Sequence, residues 1–182
     1  MASATPQRLE VPVTERDHSA GPEDAPVTLV EYGDYECPHC GAVHPIINQI
    51  QSSMGDRLRF VFRNFPLSTM HRHAMRAAEA AEAAGAQGRF WPMHDLLFEN
   101  QQHLEDADLV ADAKSIGADA SRFQQDLASH RFLSHVQEDF RGAMRSGVKG
   151  TPAFFINGER YTGVYDLEPL LEVIRDAASR ST

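Results

Sequence analysis

At 182 residues, 42% hydrophobic and 24% charged, the chain has the make-up of one soluble globular domain that can bury a core without disulfide staples. A formal charge of −9 argues against a general nucleic-acid binder and against adhesion to anionic membranes. No run approaches the ~20 apolar residues of a membrane helix.

Residues 1–26 are rich in Pro, Ser, Thr and charge, with breakers at Gly21-Pro22 and Ala25-Pro26, and are expected to form a flexible tail. Within them Arg8–Val13 alternates like an edge strand, against which Pro12 argues. Met1–Val13 lacks the apolar centre of a secretory signal, so the chain as it stands is expected in the cytoplasm. A leader already removed would place it in the periplasm or outside the cell. Val27–Tyr32 is the first strand, and the Gly33-Asp34 turn leads from it into a helix from Cys37 to Met54. Val43, Ile46, Ile47, Ile50 and Met54 lie at helical spacing, and Pro45 removes the bond to the Gly41 carbonyl. Arg59–Phe65 alternates Phe60 and Phe62 against Arg59, Val61 and Arg63, as a second strand does, and Pro66 closes it.

From His71 to Gly147 the pattern turns helical. Ala74–Ala84 stops at Gly85, a helix begins at Trp91, Asp106 caps Leu109–Ile116, and Asp119 or Ser121 caps a short helix through Phe123 and Leu127. Val136, Phe140, Ala143 and Met144 share one face of the next helix. Ala153–Ile156 returns to strand character, Asn157-Gly158 is a hairpin turn into Arg160–Gly163, and Asp166–Ser179 is a final helix. The division expected is a strand-and-helix domain over 27–66 and 147–182, with a helical insertion over 67–146.

The chemistry centres on Cys37-Pro38-His39-Cys40, which holds the only two cysteines in the chain. A C-x-x-C between a strand and a helix is a dithiol-disulfide motif. At a helix N-terminus the unpaired N–H groups and the dipole stabilise a thiolate, so the Cys37 pKa is expected below the ordinary ~8.5. Cys37 is expected to be exposed as the nucleophile, and the more buried Cys40 to resolve the mixed disulfide. A purely structural disulfide is disfavoured, because a loop over two residues constrains little of the unfolded chain. Pro38 suits the first helical turn, and an imidazolium at His39 would steady the thiolate. Glu31, inside an apolar strand, has two open roles: an edge carboxylate paired with Arg59 or Arg63, or, as the family resemblance described below implies, a proton relay near Cys40. Cys37, Cys40 and His44, with His71 or His73, could also form a metal site. Zinc sites usually have dedicated ligands and there is no second cysteine pair, so no metal and no cofactor beyond the dithiol is expected. His71, His73, His94, His103, His130 and His135 are expected on helix surfaces. Phe90, Trp91 and Phe98 are expected in a core, as are most of Met70, Met75, Met93 and Met144.

Two stretches resemble the DsbA-like thiol-disulfide oxidoreductases: Gly21 to Cys40 (GPEDAPVTLVEYGDYECPHC) and Gly147 to Gly158 (GVKGTPAFFING). The resemblance covers about residues 21–175 and implies an α/β thioredoxin-like fold with an all-helical insertion. It also implies that the Thr151–Pro152 peptide is cis, faces the dithiol and binds substrate, and that the Thr151 hydroxyl can reach a neighbouring sulfur. The activity implied is disulfide exchange with protein or peptide thiols, alongside a redox partner. A redox-inert binding or metallochaperone module is the alternative. His39 and the helix end point to an intermediate-to-oxidising couple, between about −270 mV for thioredoxin and about −120 mV for DsbA and nearer the latter.

Overall fold

The computed structural model describes residues 7–181, which fall into two compact units. One takes in the chain up to Tyr32, Ala42–Arg63 and the chain from Arg141, and the other takes in Gly33–Gly41 and Asn64–Phe140.

The first unit is built on a five-stranded sheet. Its strands are β1 (His18–Ala20), β2 (Val27–Gly33), β3 (Leu58–Asn64), β4 (Ala153–Ile156) and β5 (Glu159–Arg160), in the order β1-β3-β2-β4-β5. Helix α1 (Pro38–Met54) and a 3₁₀ turn at Gly55–Arg57 lead from β2 to β3, and α7 (Leu167–Arg180) ends the chain. Helix α1 starts at Pro38, whose fixed φ and missing N–H suit the first helical position. Antiparallel β4 sets Phe154 opposite Glu31 and Ala153 opposite Tyr32. The inner strands are apolar on both faces because both are covered: Leu29, Val30, Phe60, Val61, Phe154 and Phe155 are all buried.

Several expectations change. Residues 7–26 are not a flexible tail: β1 pairs antiparallel with β3, and Arg8 makes a single bridge to Glu159. The edge strand is therefore His18–Ala20 rather than Arg8–Val13. Beyond the hairpin turn, β5 keeps only two residues. Strand β3 does not alternate, for Val61 and Arg63 are as buried as Phe60 and Phe62. Nor is Glu31 an edge carboxylate, because β2 is the central strand.

Arg63 explains the ordered N-terminal segment. Its Nε and Nη2 donate to the two Asp17 carboxylate oxygens at 2.7 and 3.0 Å, Nη1 donates to Val11 O at 2.8 Å and Tyr32 Oη at 3.0 Å, and Nη2 also reaches Pro12 O at 3.0 Å. Burial alone would lower the Arg63 pKa, but the Asp17 hydrogen bond, the Tyr32 oxygen and the Asp17 charge together raise it above its ordinary value. The guanidinium thus stays charged and satisfied, and it holds residues 11–17 against the sheet.

The second unit is helical: α2 (Ala74–Gly85), α3 (Phe90–Glu99), α4 (Asp106–Ser115), α5 (Ala120–Ala128) and the first part of α6 (Leu133–Arg145). Helix α2 is its centre. Ala77, Ala80, Ala81, Ala83 and Ala84 are fully buried, and their small side chains let α3, α4 and α5 approach. Asp119 accepts from Arg122 N at 2.9 Å and caps α5. Helix α4 is capped by Glu105 instead of Asp106, since the Arg76 fork takes both Asp106 oxygens at 2.8 Å. His94 is buried, not on a surface, while Met70 and Met144 are exposed rather than core. Trp91 is half-buried.

A polar knot lies under α2. Asn64 Nδ2 donates to Glu82 Oε1 at 2.8 Å and Asp139 Oδ2 at 3.0 Å, and Asn64 N also donates to Asp139 Oδ2, at 2.9 Å. His135 Nε2 stands 3.6 Å from Glu82 and 3.8 Å from Asp139. Burial pushes the Asp139 carboxyl up to about 6, against the opposing pull of His135 and the Asn64 hydrogen bonds.

Two measurements follow from these buried charges. Asp17→Ala leaves the Arg63 guanidinium buried without its counter-ion, which costs about 3–5 kcal/mol. In a protein of this size that lowers Tm by roughly 6–20 °C in a thermal melt. For Asp139, the native state binds more protons than the unfolded chain between about pH 4 and 6, so its contribution to stability falls as pH rises through that window. Asp139→Asn keeps an acceptor for Asn64 and is expected to be more stable than wild type by about 1–3 kcal/mol above pH 7. In denaturant titrations that advantage should vanish near pH 4.

Candidate active site

The segment Gly33–Gly41 carries the C-x-x-C turn, and its own backbone shapes it. Cys37 N donates to Asp34 O at 3.1 Å, and Gly41 N donates to Cys37 O at 3.1 Å as the first bond of α1. Cys37 therefore occupies the N-cap position, one residue before Pro38. Asp34 N points at Cys40 Sγ across 3.5 Å. No disulfide joins Cys37 and Cys40 in this structure.

The expected exposed Cys37 is not observed: Cys37 is only 4% exposed and Cys40 is fully buried. Residues three apart share a helix face, so a turn that presents Pro38 and His39 outward directs both sulfurs inward. His39 stands on the exposed side of the motif.

Side chains far away in the chain complete the site, and apart from His71 no local pattern announced them. Gln101, in the turn after α3, donates from Nε2 to Tyr35 O at 2.9 Å and to Cys37 O at 2.8 Å. The Tyr35 hydroxyl meets His94 Nδ1 at 2.9 Å, and its ring packs against Phe98 with centroids 4.8 Å apart. The Asp34 side chain is fully buried and accepts from Glu36 N at 2.8 Å, Leu67 N at 2.9 Å and His71 Nδ1 at 2.8 Å. Burial lowers the His71 pKa, but the Asp34 hydrogen bond and charge, with the negative charges of Cys37 and Glu36, raise it above its ordinary value. His73 Nδ1 pairs with Glu36 at 2.9 Å and its Nε2 with Glu105 at 3.0 Å; the hydrogen bonds it donates to these two carboxylates raise its pKa. His71 and His73, weighed as metal ligands, thus face carboxylates.

The other predicted residues belong to the first unit. Glu31 is buried in β2, and the Thr151–Pro152 peptide, which is cis, immediately precedes β4. The β2–β4 register brings these residues to one end of the strand pair, since Ala153 lies opposite Tyr32 and Phe154 opposite Glu31.

Gly41 tests how the turn is clamped. A Cβ there would run into Gln101 Oε1 and expel the amide from its two carbonyls. Two hydrogen bonds at about 0.5–1.5 kcal/mol each outweigh the roughly 1 kcal/mol of helix propensity that alanine adds. Gly41→Ala should therefore destabilise the wild type but stabilise a Gln101→Ala background. The reversal of sign is checked by a double-mutant cycle in urea.

A thioredoxin family model matches residues 13–176. The chain is 47% identical over 170 residues to a protein named Na(+)/H(+) antiporter NhaA 1 from Salinispora arenicola, which covers 93% of this chain and 26% of that protein. The chain thus spans about a quarter of the length of the curated relatives it matches. Among solved structures, oxidised BdbD from Bacillus subtilis is similar at 28% identity and a TM-score of 0.77, over 88% of this chain and 92% of that one. Wolbachia pipientis α-DsbA1 shares the fold at 20% identity and a TM-score of 0.80, over 97% of this chain and 98% of that one.

Proposed function

The chain belongs to the thioredoxin family and has the DsbA-like form of its fold, and on that premise we propose that it is a protein thiol-disulfide oxidoreductase working through Cys37 and Cys40. The observation that carries the reading is the pair of thiols at the N-terminus of α1, with Asp34 backbone groups directed at Cys37 N and Cys40 Sγ. The antiporter name belongs to proteins about four times longer than the matched stretch. Among the described residues no helix is long and apolar enough to cross a membrane, and ion transport is not proposed for this chain.

In the proposed exchange the Cys37 thiolate attacks one sulfur of a substrate disulfide. The S–S bond breaks, a new Cys37–substrate bond forms, and the leaving sulfur departs as a thiolate that takes up a proton. Cys40 then gives up its proton and attacks Cys37, expelling the second substrate sulfur. The substrate gains two electrons and the dithiol loses two; the reverse sequence installs a disulfide in a substrate dithiol. The N-terminus of α1 favours the attacking thiolate. Pro38 and His39 are proposed to tune it, Glu31 to handle the Cys40 proton, and Thr151 and Pro152 to bind an extended substrate segment. The couple is proposed to lie between those of thioredoxin and DsbA, nearer the latter.

Trapping tests the division of labour. With Cys40→Ser, nothing resolves the adduct, so a mixed disulfide should accumulate on non-reducing gels after incubation with a disulfide-bonded substrate. Cys37→Ser should form none, and wild type should catalyse the reduction of insulin by dithiothreitol. Equal trapping by both variants would remove Cys37 as nucleophile, and a redox-inert binding module would neither trap nor turn over.

A further inference from the structure

His39 is the imidazole that the motif itself offers, yet another is built into the turn more firmly. Asp34 is the hub: its N–H faces Cys40 Sγ, its carbonyl accepts from Cys37 N, and its fully buried carboxylate accepts from His71 Nδ1 at 2.8 Å. We propose that Asp34 and His71 form a positioning pair that keeps a cation beside Cys37 and so sets the reactivity of its thiolate. The inference rests on the reading of Cys37–Cys40 as an exchange dithiol, and it adds residues that the C-x-x-C motif does not contain.

The physical argument is one of charge balance. Asp34 lies three residues before Cys37, and a buried carboxylate that close opposes a second negative charge on sulfur. The two backbone donors on Asp34, Glu36 N and Leu67 N, satisfy its oxygens without cancelling its charge. A protonated His71 cancels it. The side chain of His71 is only 15% exposed, so this attraction is weakly screened. Asp34 contacts His71 directly, and the charges of Asp34, Cys37 and Glu36 all favour its protonated form. On its own loop, Arg72 is turned to Glu105 and His73 to Glu36 and Glu105. The sign follows: the stabilisation is present while His71 is protonated and fades as pH rises through its titration. Coupling between two sites is reciprocal, so the Cys37 thiolate must hold the His71 proton as firmly as His71 holds the thiolate.

That reciprocity permits a test on the unaltered protein. The His71 imidazole is titrated by NMR in the dithiol and disulfide forms. It should titrate at lower pH in the disulfide form, where the thiolate charge is gone; identical titration in both forms overturns the proposal. Alkylation of Cys37 by iodoacetamide is the second readout. His71→Gln should slow it about three- to tenfold near pH 6, with the gap closing at alkaline pH. His71→Arg should restore the rate and remove that pH dependence. His71→Gln and His71→Arg equally slow would indicate a structural part only and overturn the proposal, as would a His71→Gln rate equal to wild type. Asp34→Asn combined with His71→Gln should recover part of the loss, because the opposing carboxylate is gone. Insulin reduction by wild type separates the two claims. Inactive wild type with these shifts intact removes the exchange reading and leaves the charge pair standing, while active wild type without them removes the pair alone.

Discussion

A carboxylate that has left water must be given hydrogen-bond donors by the protein in its place. Asp34 meets that demand with donors from three places in its unit: its own turn at Glu36, the loop after β3 at Leu67, and His71 just before α2. Satisfying one side chain therefore fixes the path of the chain on either side of the cysteines. The same residue's carbonyl and N–H then face Cys37 and Cys40. Gln101 secures the other side of the turn through two carbonyls, and Tyr35 anchors it on His94 and Phe98. The result is a preorganised dithiol, held by hydrogen bonds at the backbone and by the Asp34–His71 contact behind it.

Arg63 follows the same rule in the sheet unit. A buried guanidinium carries five donors, and here Asp17, Val11, Pro12 and Tyr32 accept from them. A segment rich in Pro, Ser and charge would otherwise have little apolar surface to order it. In both units a single charged residue organises chain that hydrophobic burial alone would leave loose. The apolar packing of β2, β3 and β4 stabilises the sheet, but it is tolerant of small shifts. Directional polar contacts determine where the site residues stand.

The family resemblance and the site point the same way for independent reasons. The thioredoxin model spans residues 13–176, and the fold agrees with BdbD over most of both chains. The antiporter relatives extend well beyond the stretch they share with this chain, which is about a quarter of their length.

Sequence alone determined the features that follow local rules. The C-x-x-C spacing, Pro38 at the helix start, the apolar run of β2, the alanine-rich α2 and the Asn157-Gly158 turn all depend on neighbours within about four residues, which the chain states directly. The resemblance added the thioredoxin-like arrangement. Burial and long-range pairing were decided by tertiary structure. Cys37 turned inward because Pro38 and His39 face out, and Val61 and Arg63 were buried because β3 is covered on both sides. Arg63 found Asp17 and not Glu31, Asp34 found His71, and the Cys37 carbonyl found Gln101. These partners lie tens of residues apart and share no period. Each was chosen by which donor the folded chain brought to a buried acceptor, and that choice exists only after the segments have packed.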